Sequence, residues 1–209
     1  MFYEEAIADD QRDVLKLLGP VASEHNFYLA GGTAVAIHLG HRRSVDFDWF
    51  RSEPFSDPME WAQALRDRGV PFDTISVDEG TLHGSISGVR TSFFEYSYPL
   101  LSYSEMWSEY ETRLASLDDL ACMKLVAIAQ RGTKKDFVDL HAICKQHRPL
   151  AELLCLYEQK YRTDDIAHLL YALTYFDDAD SERMPTMLWD IDWHAVRGDI
   201  RTWVQEIDA

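Results

Sequence analysis

Apolar side chains at Ala6, Ile7, Val14, Leu15, Leu17, Leu18 and Val21 recur at helical spacing over residues 4–24, and Gly19-Pro20 in their midst predicts a kink. Phe27 to Ala30 is a short β-prone run that Gly31-Gly32 breaks, and residues 33–39 read as a short helix stopping at Gly40. Residues 45–50 alternate around Asp46 and Asp48 and predict a second strand. Trp61 to Leu65 belongs to a helix ending near Gly69. Residues 71–77, 82–87 and 89–96 predict three more strands, the last two joined at Gly88. After Pro99 the pattern turns helical to the end. Ser116 with Asp119, and Thr133 with Asp136, are capping-box starts for helices over 117–130 and 134–147. Further helices are expected near 150–161, 166–176 and 193–207. The layout is α+β, with a mixed α/β core over residues 1–100 and a helical region over 101–209.

Composition changes this picture little. With 209 residues, 46% apolar and 27% charged, the chain is an ordinary globular one that needs no covalent staple. Three cysteines, Cys122, Cys144 and Cys155, form no CxxC pair, which fits a reducing cytoplasm. No apolar run is long enough for a membrane span, and the acidic N-terminus is unlike an export signal.

Charge matters more. Thirty-six acids against 20 Lys and Arg give a net charge of −16, which argues against broad binding to nucleic acid or anionic membrane. Against that background the stretch 124–135 stands out: Lys124, Arg131, Lys134 and Lys135, with no acid among them. Lys124 and Arg131, seven apart, share a helix face.

The chemistry concentrates in LAGGTAVAIHLGHRRSVDFDWF, residues 29–50. A strand feeds Gly31-Gly32, and a helix starts at Thr33. Unpaired N–H groups at a helix start suit a phosphate, glycines permit close approach, and Thr33 can cap the helix or donate to phosphate oxygen. A plain strand-to-helix turn explains the same residues. Asp46 and Asp48, at i and i+2 on a strand, point to one face, while Val45, Phe47 and Trp49 turn to the other. Two converging carboxylates repel, and a divalent cation relieves this; a solvated edge is the bland alternative. Lys124 is open between a phosphate contact and a snorkelling role beside Leu120, Leu125 and Ile128, and Asp136 between chemistry and helix capping. Arg43 either grips phosphate or pairs with Asp48 in the absence of metal, and Ser44 either contacts phosphate or holds a turn.

Together these segments resemble the AbiEii/AbiGii-toxin-like nucleotidyltransferases, in which Gly-Gly-Thr/Ser precedes a strand Asp-x-Asp. RGTKKDFVDL, preceded by Lys124, resembles that family's downstream Lys…Arg…Lys-Asp-x-x-Asp motif, and FFEYSYPLL its intervening strand. The resemblance implies a polymerase-β-like nucleotidyltransferase core followed by a C-terminal helical bundle. It also implies dependence on Mg²⁺ or Mn²⁺ and transfer of NMP from an NTP. Gly31, Gly32 and Thr33 would hold the triphosphate with Arg43, Ser44, Arg131 and Lys135. Asp46 and Asp48 would hold metal, Lys124 would meet phosphate or the attacking hydroxyl, and Asp136 would be a base or orienting group. Many such enzymes use a third strand carboxylate, for which Glu95 is the nearest candidate and Asp73 another. The implied acceptor is a tRNA or other RNA 3′ end, a protein or a small molecule, and a cognate antitoxin is an implied partner. The alternatives are a non-catalytic interaction module of the same fold and an antibiotic-type small-molecule nucleotidyltransferase.

Overall fold

A 3₁₀ turn at Glu4–Ala6 leads into helix α1 (Asp9–Glu24) in the computed structural model, which describes residues 2–55 and 57–207. Helix α1 runs through Gly19-Pro20 without the expected interruption. The physical reason is packing. A Cβ on Gly19 would lie 2.1 Å from Thr112 Oγ1 and 2.2 Å from the Tyr110 carbonyl oxygen, so the glycine lets another segment lie against the helix.

The sheet is built from β1 (Tyr28–Ala30), β2 (Phe47–Arg51), β3 (Phe72–Asp78), β4 (Thr81–Ile86), β5 (Val89–Glu95), β6 (Glu105–Trp107) and β7 (Thr112–Leu114), in the order β3-β4-β5-β2-β1-β7-β6. Helix α2 (Gly31–Leu39) follows β1, and α3 (Pro58–Asp67) precedes β3. The β2–β5 and β1–β7 pairs are parallel and the rest antiparallel. Strands β6 and β7 correct the expectation of helix alone after Pro99. Three-residue strands carry too little alternation to be read locally, and pairing with β1 is what makes β7 a strand.

Alternation across the central strands sorts the side chains. Phe47, Trp49 and Phe93 are fully buried on one face, where Phe93 packs with Phe27, Trp61 and Phe72. Each such side chain contributes about 1.5–3 kcal/mol of burial energy. The opposite face carries Asp48 and Phe50, paired in register with Ser92 and Phe94. Helices α4 (Leu117–Gln130), α5 (Lys134–Gln146), α6 (Leu150–Tyr161), α7 (Ala167–Thr174), α8 (Asp177–Asp180) and α9 (Trp193–Ile207) complete the chain. Ser116 caps α4 by accepting from the Asp119 N–H, as its spacing predicts. α4 packs on α2, α5, α6 and α7, which brings Lys124 and Arg131 back to the first half of the chain. No helix among the described residues is long and apolar enough to cross a membrane.

Candidate active site

β1 and β2 are antiparallel, with Ala30 opposite Asp48, so the Gly31-Gly32 turn and the two aspartates meet. Gly31 has φ +64°, and a Cβ there would lie 2.6 Å from Asp48 Oδ2. A Cβ on Gly32 would lie 2.3 Å from the Arg42 Nη2 atom. The glycines therefore make room for two side chains of the site itself. Thr33, buried, donates its hydroxyl to the Asp46 carbonyl, and it accepts from Ser44 Oγ at 2.7 Å. Both hydroxyl protons are thus spent on holding the start of α2 against the segment entering β2. Neither is free to donate to phosphate, and in this arrangement Thr33 and Ser44 are positioning groups.

The two carboxylates differ. Arg90 Nη2 on β5 stands 2.8 Å from Asp46 Oδ1, in a pair whose arginine is 69% exposed. Asp48 has no hydrogen-bond or ion-pair partner among the described residues. Burial, with Asp46 adding to it, pushes its carboxyl above the usual range against the pull of Lys124. A desolvated carboxylate without a partner is what a hard cation completed by substrate phosphates would satisfy. Among the described residues no group of three or more His, Cys, Asp and Glu forms a self-sufficient metal cage.

Glu95 does not join them. It pairs in register with Arg51, three residues past the Asp48–Ser92 pair, and so faces the other side of the sheet. Its Oε2 accepts from the Phe55 N–H at 2.8 Å. Asp73 is on β3, with β4, β5 and their side chains between it and Asp46. The place beside Asp48 on β5 belongs to Ser92, whose Oγ is 2.9 Å from His83 Nδ1. Glu95→Ala is expected to cost about 1 kcal/mol through the unpaired Phe55 N–H. Chemical denaturation measures that cost, and any metal or nucleotide binding should be unchanged by it.

Lys124 reaches the site from α4, buried rather than snorkelling: its Nζ lies 2.9 Å from Asp136 Oδ1 and 2.7 Å from Asp139 Oδ2. Asp136 also accepts from Arg131 Nε (2.9 Å), Arg131 Nη2 (3.1 Å) and Thr133 Oγ1 (2.7 Å). Burial opposes its ionisation, but Lys124, Arg131 and Thr133 outweigh that and hold its carboxyl far below the usual range. A carboxylate so held is a poor base. Of the two roles open to Asp136, the geometry leaves that of orienting Lys124 and Arg131. Asp139 is the hub that the motif understates. It accepts from Arg42 Nε (2.6 Å), Arg42 Nη2 (2.9 Å) and His41 Nε2 (2.8 Å), all buried. Arg42 and Lys124 overcome its burial and keep it ionised.

A cleft of about 270 Å³ gathers Gly32, Thr33, Ser44, Asp46, Asp48, Lys124, Arg131, Lys135 and Asp136. Arg43 is not among its walls. Arg43 is exposed and its N–H binds the Thr186 carbonyl, while Arg42 turns inward. Neighbouring residues of an extended segment point opposite ways, which is why the inward arginine is not legible from Arg42-Arg43 alone. Among these side chains Lys135 is exposed and makes no ion pair with the described residues. The signal that would have found Asp139 is its i+3 spacing from Asp136 on one helix face. A larger surface cleft of about 580 Å³ around Tyr103 and Arg113 holds one carboxylate, Glu53, and no comparable cluster.

Residues 88–205 match the model of the family described as nucleotidyl transferase AbiEii toxin, type IV TA system. An uncharacterised protein of Aquifex aeolicus (strain VF5) is 40% identical over 176 residues, which are 83% of this chain and 84% of that protein. MenT4, a nucleotidyltransferase toxin from Mycobacterium tuberculosis, superposes with a TM-score of 0.63 at 13% identity, over 96% of this chain and 84% of that one. JHP933 from Helicobacter pylori does so at 0.58 and 14%, over 99% and 93%. ANT(2″)-Ia, solved with adenylyl-2″-tobramycin, does so at 0.55 and 14%, over 74% and 98%. The likenesses to the Aquifex protein, MenT4 and JHP933 run across the part that carries Asp46 and Asp48, and the family match spans more than half of the chain, including Lys124 to Asp139. The chain belongs to the AbiEii nucleotidyltransferase toxin family.

Proposed function

We propose that this nucleotidyltransferase moves a nucleoside monophosphate from an NTP to an acceptor hydroxyl, in the cleft between β2 and α4. The observation that carries this is Asp48, a half-buried, desolvated carboxylate with no partner among the described residues, facing the start of α2. Asp46 and Asp48 would hold Mg²⁺ or Mn²⁺, which supplies charge stabilisation at the phosphoryl oxygens. The chain's own part is positioning and charge. Gly32 and Thr33 in the first turn of α2 line the cleft with Arg131 and Lys135, and the start of a helix leaves backbone N–H groups unpaired. Lys124 spends two of its three protons on Asp136 and Asp139 and keeps one for a phosphate oxygen. Arg90 is exposed, so its pair with Asp46 is weak and opens readily to a cation.

That Arg90–Asp46 pair and the missing third carboxylate favour a second reading, a non-catalytic interaction module. Against it, such a module gains nothing from a desolvated, unpartnered Asp48. ANT(2″)-Ia is bound to a small-molecule product, adenylyl-2″-tobramycin, and the acceptor hydroxyl proposed here is that of an RNA end, a protein or a small molecule. A partner protein of antitoxin type accords with the family.

Two carboxylates alone bind Mg²⁺ weakly, so metal and NTP are expected to bind cooperatively. In melting measurements the shift with Mg²⁺ and NTP together should exceed the sum of the separate shifts. It should approach the equivalent of about 2.7 kcal/mol at one hundred times the dissociation constant. If no NTP gives a coupled shift with either metal, the interaction module becomes the better account.

A further inference from the structure

The β2–β5 and β4–β5 registers set Asp48, Ser92 and His83 side by side on three neighbouring strands. All three stand on the face opposite buried Phe47, Phe93 and Leu82, and Ser92 and His83 are half-buried, within reach of solvent. Neighbouring strands lie about 4.8 Å apart, so the backbones of His83 and Asp48 are about 10 Å apart with Ser92 between them. We propose that His83, held by Ser92, is the base that takes the proton of the acceptor hydroxyl, where a third strand carboxylate was expected; this rests on the nucleotidyl-transfer reading of the adjoining cleft.

Three observations support it. First, the cleft leaves no other base. Of its carboxylates, Asp46 and Asp48 are given to the cation, and Asp136 is tied to Lys124, Arg131 and Thr133. The other titratable side chains that line it, Arg42, Lys124, Arg131 and Lys135, are cations. His83 adds an imidazole beside them, the side chain best suited to accept a proton and give it up again. Second, the ring is held in place. Its Nδ1 is 2.9 Å from Ser92 Oγ, and it meets the Phe94 ring edge-on at 5.5 Å between centroids. With Nδ1–H donated to Ser92, the lone pair stands on Nε2, which makes no hydrogen bond among the described residues. Third, the row is within reach of the chemistry. A positive charge on His83 lowers the Asp48 carboxyl, so the two feel one another across Ser92. Helix α3 leaves this face free, because its Trp61 packs on Phe93 behind the sheet. In the step proposed, the acceptor oxygen bonds to the α-phosphorus. The bond from that phosphorus to the β-phosphate oxygen breaks, its electron pair leaves on pyrophosphate, and the acceptor's proton passes to His83 Nε2.

Water is the smallest hydroxyl acceptor, so pyrophosphate release from each NTP in Mg²⁺ reads this step without a known acceptor. Total RNA and total cell protein are added in parallel as larger acceptors. His83→Gln keeps a donor for Ser92 and removes the base. It is expected to melt as wild type does and to keep the coupled shift with Mg²⁺ and NTP, while pyrophosphate release falls about 10²–10⁴-fold. In His83→Ala, added imidazole should restore part of the rate, which a purely structural role would not allow. Ser92→Ala, which loosens the ring, should cost about two- to tenfold in rate, the worth of one hydrogen bond. The proposal is overturned, and the transfer reading spared, if His83→Gln releases pyrophosphate as wild type does. Loss of the coupled shift in His83→Gln also overturns it, since the residue would then serve nucleotide binding. Should His83→Gln not fold, His83→Ala decides, and no rescue by imidazole overturns the base role. Wild type that shows the coupled shift and releases no pyrophosphate with any acceptor overturns the base role and leaves nucleotide binding standing. Wild type with no coupled shift removes both.

Discussion

Asp48→Asn is expected to abolish nucleotidyl transfer and at the same time to raise the melting temperature of the metal-free protein. Transfer should fall by at least about 10³-fold, because the charge stabilisation of a bound cation is worth several kcal/mol. The stability gain has a separate cause. Wild type keeps a desolvated carboxylate with no partner, next to Asp46, and an amide in its place removes the charge. A gain of about 1 kcal/mol corresponds to about 2–4 °C in a domain of this size. The pH dependence follows from the upward shift of Asp48. Its folded value lies above its unfolded value of about 3.9, so the penalty on wild type is complete above the raised value. It shrinks as pH falls through that value, where the native state takes up the proton first, and is gone below about pH 3.9. Asp136 and Asp139 are shifted downward, so their contribution is present above the unfolded value and lost as pH falls further. They act equally in both proteins, and the difference between the two melting curves isolates Asp48. An Asp48→Asn protein that melts lower than wild type in chelator at neutral pH would show that the carboxylate has a stabilising partner after all.

Lys124→Ala should lose activity and stability together. The snorkelling role that the sequence leaves open to Lys124 would make it removable at little structural cost, and the buried geometry corrects this. Deleting the ammonium leaves Asp136 and Asp139 buried with fewer cations. Breaking one partner out of a buried ion pair costs about 3–5 kcal/mol, enough to lower melting by roughly 10 °C in a chain this long. Urea unfolding at neutral pH measures this, and turnover is read well below the variant's own melting point. The double variant Lys124→Met, Asp136→Asn should recover part of the stability and none of the turnover, because it also removes one stranded charge. A stability change under about 1 kcal/mol in Lys124→Ala would mean that Arg42, His41 and Arg131 satisfy both aspartates unaided.

Much of the fold was legible because its causes are local. The capping of α4 by Ser116 and the αL stop of α2 at Gly40 depend on a few neighbouring residues. Side-chain alternation around β2 is likewise local, and it put Asp46, just before the strand, and Asp48 in one cleft with Phe47 and Trp49 buried behind them, although Val45, expected on their face, is exposed. The family resemblance rested on the same short segments.

What the sequence left open turned on parity and on distance along the chain. Glu95 was on a true strand, but the β2–β5 register sets Ser92 beside Asp48, and an odd offset of three sends Glu95 to the opposite face. Arg42 and Arg43 are equivalent as text, and the separation between them came from Asp139, 97 positions away, which needs an inward cation. Strands β6 and β7 exist because β1 has an open edge to pair with. The sequence by itself determined most of the elements, the carboxylate pair and the cationic helix that answers it, since each follows from spacing along one segment. The tertiary structure alone decided which arginine enters and which carboxylates are spent on holding Lys124. Those depend on where separate elements meet, and burial makes each such meeting a choice between a paired charge and an expensive unpaired one.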